Sequence, residues 1–308
     1  IIFYNNMTKK HIIIGTTATN RSTLHNDVLS EWSIYFNTLD KSKYDINWFI
    51  NIDYIKDLNE DVSITGNNIR NIIKDIKIHF INSKRNIKGN FLNACKKVSS
   101  SMENYVINNK LNTDDTIIIW LEDDWKLNIQ HIPLQEIIEN YLSNLTYINL
   151  SYIRLNYIHA LAPCIINYNL WSKIHLSAWK NQEDHIDPEH CIGLYYLKNF
   201  GNYEDLLNIT VINKYKKINE KFLQSDMFKL DNSYYTFDTE NTNNIINKKY
   251  IKKNDIKKFI KDKITFVRIS TSMCLGGVNY GRDFMKKYNI EKKRMQNNIQ
   301  VDFYKKTD

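Results

Sequence analysis

Over its first two thirds the chain switches repeatedly between short β-branched runs and stretches whose apolar residues recur every three or four positions. Strand-like runs cover residues 11–15, 46–52, 77–81, 116–121, 147–155 and 162–167. Between the early ones, residues 24–39 put Leu24, Val28, Leu29, Trp32 and Phe36 on one stripe. Residues 90–108 do the same with Phe91, Cys95, Val98, Met102 and Val106. Such a stripe buries one face of a helix against a sheet. Strand, helix and strand in repetition imply parallel strands joined by crossovers. The expected fold class is therefore α/β, a Rossmann-type α/β/α sandwich on a mixed, mostly parallel sheet. Ligands of such sheets bind beyond the carboxyl ends of the strands, which is where chemistry is sought.

Composition narrows the function classes. With eight Gly in 308 residues there is no G-x-G-x-x-G and no G-x-x-x-x-G-K-[ST], so the dinucleotide fingerprint and the P-loop are absent. The longest fully apolar run is residues 117–121, far short of the roughly 20 residues a membrane helix needs. Cys95, Cys164, Cys191 and Cys274 show no C-x-x-C spacing, which indicates neither a zinc ribbon nor a redox pair. Isolated buried thiols in a reducing compartment are the reading for them. Ile, Asn, Lys and Tyr together supply 143 residues, a bias of A/T-rich codons that points to the genome, a large DNA virus or an A/T-rich protist, more than to activity. The net charge is +8, and residues 248–263 hold eight Lys against Asp255 and Asp262, a local +6. That stretch is either a solvated helix face or a basic surface for peripheral contact with a membrane or an acidic partner. Arg is scarce, which argues against base readout, so no nucleic-acid partner is expected.

Four segments carry residues of catalytic type. In Trp120-Leu121-Glu122-Asp123-Asp124-Trp125, three consecutive carboxylates follow an apolar strand. Packing them together costs repulsion unless a cation or hydrogen bonds compensate. Hard divalent cations such as Mn²⁺ or Mg²⁺ take oxygen ligands and commonly bridge a phosphate to one or two carboxylates. Strand periodicity puts Glu122 and Asp124 on one side and Asp123 on the other. The alternative is a solvated turn in which Asp124 caps the next segment. The second segment is the loop expected at Thr16, Thr17, Ala18, Thr19, Asn20, Arg21 and Ser22, ahead of a helix start. Its hydroxyls, amides and Arg suit a phosphate or a base, and simple helix capping by Ser22 or Thr23 stands beside that reading. Asp53 ends the second strand, and Arg85, Lys88 and Asn90 follow the third. The third segment holds Asp184, His185, Asp187, Pro188, Glu189 and His190 ahead of an apolar helix, with Asp187 and Pro188 suited to N-cap and N1. The fourth runs from Gly276 and Gly277 to Arg282, a glycine turn whose Arg can close on a diphosphate or pair with Asp283.

Taken in order, "HIIIGTTATNR", "INWFINID", "NIKGNFLNACKKV" and "IIIWLEDDW" resemble the GT-A-fold, metal-dependent glycosyltransferases that use sugar nucleotides. The resemblance covers residues 10–196, and Gly15 to Glu122 spans 107 positions, matching the family's distance from first strand to D-x-D motif. It implies one continuous domain, with a nucleotide-sugar half at 10–156 and an acceptor half at 157–308 that carries a flexible Asn/Lys-rich insertion near 203–263. Carried over, Thr16, Thr17, Asn20, Arg21, Asp53, Arg85, Lys88, Asn90, Asp123 and Arg282 face the nucleotide. Glu122 and Asp124 stand as the D-x-D pair holding Mn²⁺ or Mg²⁺. The motif's first position is Glu here, which makes Asp124 the safer ligand, and the late His of many members has no counterpart after His190. Glu189, with Asp187 and Asp184 as alternatives, is the base of an inverting transfer. The implied partners are a nucleotide-sugar donor, UDP by first choice, and a hydroxyl acceptor on a glycan, protein or lipid. The rival readings are a nucleotidyltransferase and a catalytically silent binding module on the same fold. A cytoplasmic location is expected (host cytoplasm for a viral chain), with a targeting segment ahead of Ile1 left open.

Overall fold

The computed structural model describes residues 9–84, 91–127, 133–150, 163–180, 188, 191–192, 208–213, 216–220, 265–269 and 274–276, the last four segments as backbone alone. In chain order the elements are β1 (Lys10–Thr19), α1 (Ser22–Phe36), β2 (Tyr44–Tyr54), α2 (Val62–Ile72), β3 (Lys77–Lys84), α3 (Phe91–Asn108), β4 (Thr116–Glu122), β5 (Trp125–Leu127), α4 (Leu134–Tyr141), β6 (Thr146–Asn149) and β7 (Cys164–Asn167). A continuous helical run follows: α5 (Tyr168–Trp171), a π-helical turn (Ser172–Leu176) and α6 (Ser177–Lys180). Then come β8 (Asn208–Asn213), β9 (Lys216–Glu220), β10 (Thr265–Ile269) and β11 (Cys274–Gly276).

Nine strands among the described residues form one sheet in the order β3-β2-β1-β4-β7-β6-β10-β8-β9. β7 and β9 run against the other seven, so the sheet is mixed and mostly parallel, as the alternating periodicities predict. The chain first steps outward from β1 to β2 to β3, then returns over α3 to place β4 on the other side of β1. That reversal marks the position, outside the carboxyl ends of β1 and β4, where open α/β sheets bind their ligands.

Period-two alternation sorts the strand residues onto two faces. Ile12, Ile14, Ile117, Ile119 and Leu121 pack with Leu24, Val28, Leu29, Trp32 and Phe36 of α1. Ile13, Ile118 and Trp120 face the opposite layer, with Cys95, Val98 and Met102 of α3 and Trp171, Ile174 and Trp179 of the later helical run. Helices on both faces complete the sandwich, and each buried Leu or Ile contributes about 1.5–3 kcal/mol. Gly15 lets α3 lie close on β1: a Cβ built there meets Met102 Sδ at 2.6 Å, Val98 Cγ1 at 3.0 Å and the Trp120 ring at 3.1 Å.

Three differences from the sequence reading stand out, the first two with a plain physical cause. β1 runs on to Thr19 instead of ending at Gly15, because its threonines are β-branched and both neighbours keep pairing. Thr17 lies opposite Glu122 and Thr19 opposite Asp53. α2 is unforeseen, since only Thr65, Gly66 and Ile69 of it are buried, too thin a stripe to show as a period. β8 and β9 lie within the span read as an insertion, whereas residues 248–263 fall outside the described residues. Among the described residues no helix is long and apolar enough to cross a membrane.

Candidate functional site

The carboxyl ends of β1 and β4 present two unlike faces. On the α1 face, polar side chains are engaged with one another. Asp123 draws Arg21 Nη2 to 2.7 Å on one oxygen and Arg21 Nε to 3.3 Å on the other. Its second oxygen also meets His25 Nε2 at 3.0 Å and accepts from the Thr19 amide at 2.9 Å. The Asp123 amide in turn donates to the Thr17 carbonyl at 3.2 Å. Arg21, His25 and Asp123 are all buried. Burial alone would raise the Asp123 carboxyl, but the Arg21 charge and the bonds from His25 and Arg21 hold it far below the usual carboxylate range. Arg21 is raised above its ordinary value: burial works against its charge, and Asp123, then Asp124 and Glu122, outweigh that.

The neighbouring residues are equally committed to the fold. Asn20 donates to the carbonyls of Ile55 and Glu60 at 3.0 and 2.7 Å and accepts from the Ile55 amide at 2.7 Å, pinning the segment after β2. Thr16 accepts the Trp48 indole N–H at 2.8 Å. The α1 N-terminus, a place for a phosphate in the sequence reading, receives the Glu60 carboxylate instead, 3.0 Å from the Ser22 amide. A carboxylate there satisfies the helix end as an external anion would. Ser22 and Thr23 therefore need not cap it. Asn20, Arg21 and Asp123 thus turn their polar atoms inward, toward one another and toward the backbone.

The α3 face differs. By alternation Thr17, Asn51, Asp53 and Glu122 share the side of Ile13, Phe49 and Trp120. Asn51 donates to Asp53 at 2.9 Å. The Thr17 hydroxyl is buried and has no partner among the described residues. Glu122, partly exposed, accepts from the Trp125 indole at 3.3 Å, and Asp124 is likewise partly exposed. Trp125 pairs with Gly276 across the β5–β11 ribbon, so the glycine segment singled out in the sequence lies beside the carboxylate turn. Pro188 is placed as well: its carbonyl accepts the Trp179 indole N–H at 3.0 Å, and Trp179 packs on Trp120 with centroids 5.1 Å apart. Trp120 lies two residues before Glu122, so this contact ties the chain point between Asp187 and Glu189 to the layer beneath the carboxyl edge. Arg85, Lys88, Asn90, Asp184, Asp187, Glu189 and Arg282 lie outside the described residues.

The donor chemistry at the edge is Glu122 with Asp124, two partly exposed oxygen donors. Among the described residues no group of three or more His, Cys, Asp or Glu is placed to hold a metal. Two such carboxylates suit a hard cation whose shell is completed by phosphate oxygens and water, and do not suit an all-protein cage. His25 and Glu60 were not anticipated from sequence. The signal for His25 was a lone polar residue on the apolar stripe of α1, beside Leu24 and Val28; for Glu60 there was none.

No family model matches the chain, and no curated protein matches its sequence.

Proposed function

We propose that this chain is a GT-A-like, metal-dependent glycosyltransferase. It moves a sugar from a nucleoside diphosphate, UDP by first choice, to a hydroxyl acceptor on a glycan, protein or lipid. The observation that carries the reading is the sheet-order reversal at β1–β4, with partly exposed Glu122 and Asp124 at its carboxyl edge and Asp123 between them turned away into the protein. Glu122 and Asp124 would hold Mn²⁺ or Mg²⁺, which supplies charge neutralisation for a diphosphate leaving group. The α3 face offers the Thr17 hydroxyl as a hydrogen-bond group and the Asn51–Asp53 pair as its polar floor. Since the α1 face is closed by its own ion pair, the donor approaches on the α3 side. A carboxylate from Glu189, Asp187 or Asp184 takes the acceptor hydroxyl proton as the oxygen attacks the anomeric carbon and the bond to the diphosphate breaks, with inversion.

A silent binding module on the same fold is the second reading, favoured by the two-carboxylate edge that lacks a third described ligand. One experiment separates the two. Thermal unfolding is followed with UDP, GDP, CMP and their sugar conjugates, each with and without Mn²⁺, and donor hydrolysis is assayed in parallel. A ligand of the folded state at 100 times its Kd stabilises by about 2.7 kcal/mol. The expected result is a manganese-dependent shift with one nucleotide family, abolished by Asp124→Asn, together with release of the nucleoside diphosphate. Binding without release supports the silent module, and no shift with any nucleotide in folded protein removes the transferase reading and favours a silent carbohydrate-binding module.

A further inference from the structure

We propose that Arg21 and His25 are positioning residues for the Glu122/Asp124 pair, acting through Asp123; this rests on the reading of that pair as the cation site. Asp123 is the centre of three consecutive carboxylates, and both its side chain and its backbone are held. Arg21 meets both carboxylate oxygens, at 2.7 and 3.3 Å, and His25 and the Thr19 amide add bonds at 3.0 and 2.9 Å. The Asp123 amide to the Thr17 carbonyl, at 3.2 Å, fixes the peptide itself. These bonds join the end of β1, the start of α1 and the turn after β4. With the central residue held on the α1 face, the strand alternation leaves Glu122 on the other face and partly exposed. Were Asp123 loose, the peptide that sets the spacing of Glu122 and Asp124 would lose its anchor.

His25 is the informative member. Its ring is fully buried on the apolar stripe of α1, its Nδ1 has no partner among the described residues, and the one hydrogen bond of the ring there is to Asp123. A Leu at this position would fill the core without leaving a ring nitrogen unsatisfied. The imidazole is therefore explained by the carboxylate it orients, not by the core it sits in. Groups bonded directly to metal ligands typically change affinity by about 10–100-fold when removed, and His25, one step further back behind Asp123, belongs at the low end of that range.

The test uses Mn²⁺ alone as the probe, its binding to the full chain followed by electron paramagnetic resonance well below the unfolding temperature. His25→Leu is expected to weaken Mn²⁺ binding about tenfold, and His25→Gln, which restores an N–H donor, to recover most of the loss. Val106→Ala, which opens a cavity at the end of α3 far from the carboxyl edge, should leave the affinity unchanged and so separates positioning from stability. Wild-type affinity in His25→Leu overturns the proposal and leaves the cation reading standing. Absence of Mn²⁺ binding by the wild type, with or without UDP, removes the cation reading and the proposal together. Should His25→Leu fail to fold, Arg21→Lys, which keeps the charge but loses the planar fork, decides it: weakened Mn²⁺ binding supports the proposal and unchanged affinity overturns it.

Discussion

Among the described residues, two buried groups, His175 and Asp123, respond to acid in different windows. His175 is fully buried in the π-helical turn between the Tyr147 and Trp179 rings, and neither ring nitrogen has a partner among the described residues. Burial pushes its pKa down to about 3. The unfolded chain therefore binds a proton that the folded one refuses between that value and the ordinary pKa of about 6.5, and stability falls as pH drops through this window. At pH 4 the loss relative to pH 7 is on the order of 3 kcal/mol. His175→Leu should flatten the melting temperature between about pH 6.5 and 4, where the unfolded histidine titrates; a slope there equal to the wild type's would show that another group is responsible. Asp123 acts lower. Its folded pKa is depressed, so its contribution is present above the unfolded value of about 3.9 and is lost as pH falls below that. Asp123→Asn should cost about 3–5 kcal/mol at neutral pH, because Arg21 is left buried without its counter-charge. The variant should also lose the steep acid limb below about pH 4. Denaturant melts at pH 7 and pH 3 check both, and a loss under 1 kcal/mol at pH 7 would mean that Arg21 finds another partner.

At the scale of elements, α3 lies close on β1, and Gly15 is what permits it. The nearest atom to a Cβ there belongs to Met102, which is fully buried and has no open space to swing into. Gly15→Ala is expected to cost about 1–3 kcal/mol through overpacking, read as a lower denaturation midpoint with an unchanged denaturant slope. A stability equal to the wild type's would mean that α3 slides away without penalty. The threonines after Gly15 teach a related lesson. Their hydroxyls suggested a ligand loop, yet β1 keeps them in strand because partners on both sides supply hydrogen bonds through Thr17 and, on the β2 side, Thr19. Thr16 then serves the Trp48 indole, and Thr17 alone among these hydroxyls is left buried without a described partner. Local composition cannot report this, since it depends on two strands that arrive later in the chain.

For the molecule as a whole, legibility followed sequence distance. The amphipathic stripe of α1 and the β-branched runs of β1, β2 and β4 are local patterns, so the α/β class, the parallel direction of those strands and the carboxyl-edge location of the acidic turn could be read from the chain. So could the opposite facing of Glu122 and Asp123, because side chains along a strand alternate whatever surrounds them, whereas Asp124 lies in the turn past β4, beyond the reach of that rule. The antiparallel direction of β7 was not readable, since a short apolar run carries no mark of its orientation. The identity of Arg21's partner was equally hidden: Asp123 lies 102 positions away, and an Arg before a helix looks the same whether it awaits a phosphate or a carboxylate. Glu60 reaches Ser22 across 38 positions for the same reason. Periodic burial is written into neighbouring residues. The pairing of charges belongs to the folded chain, where the crossover from β3 through α3 brings β4 beside β1, and low-dielectric surroundings make one partner far better than water.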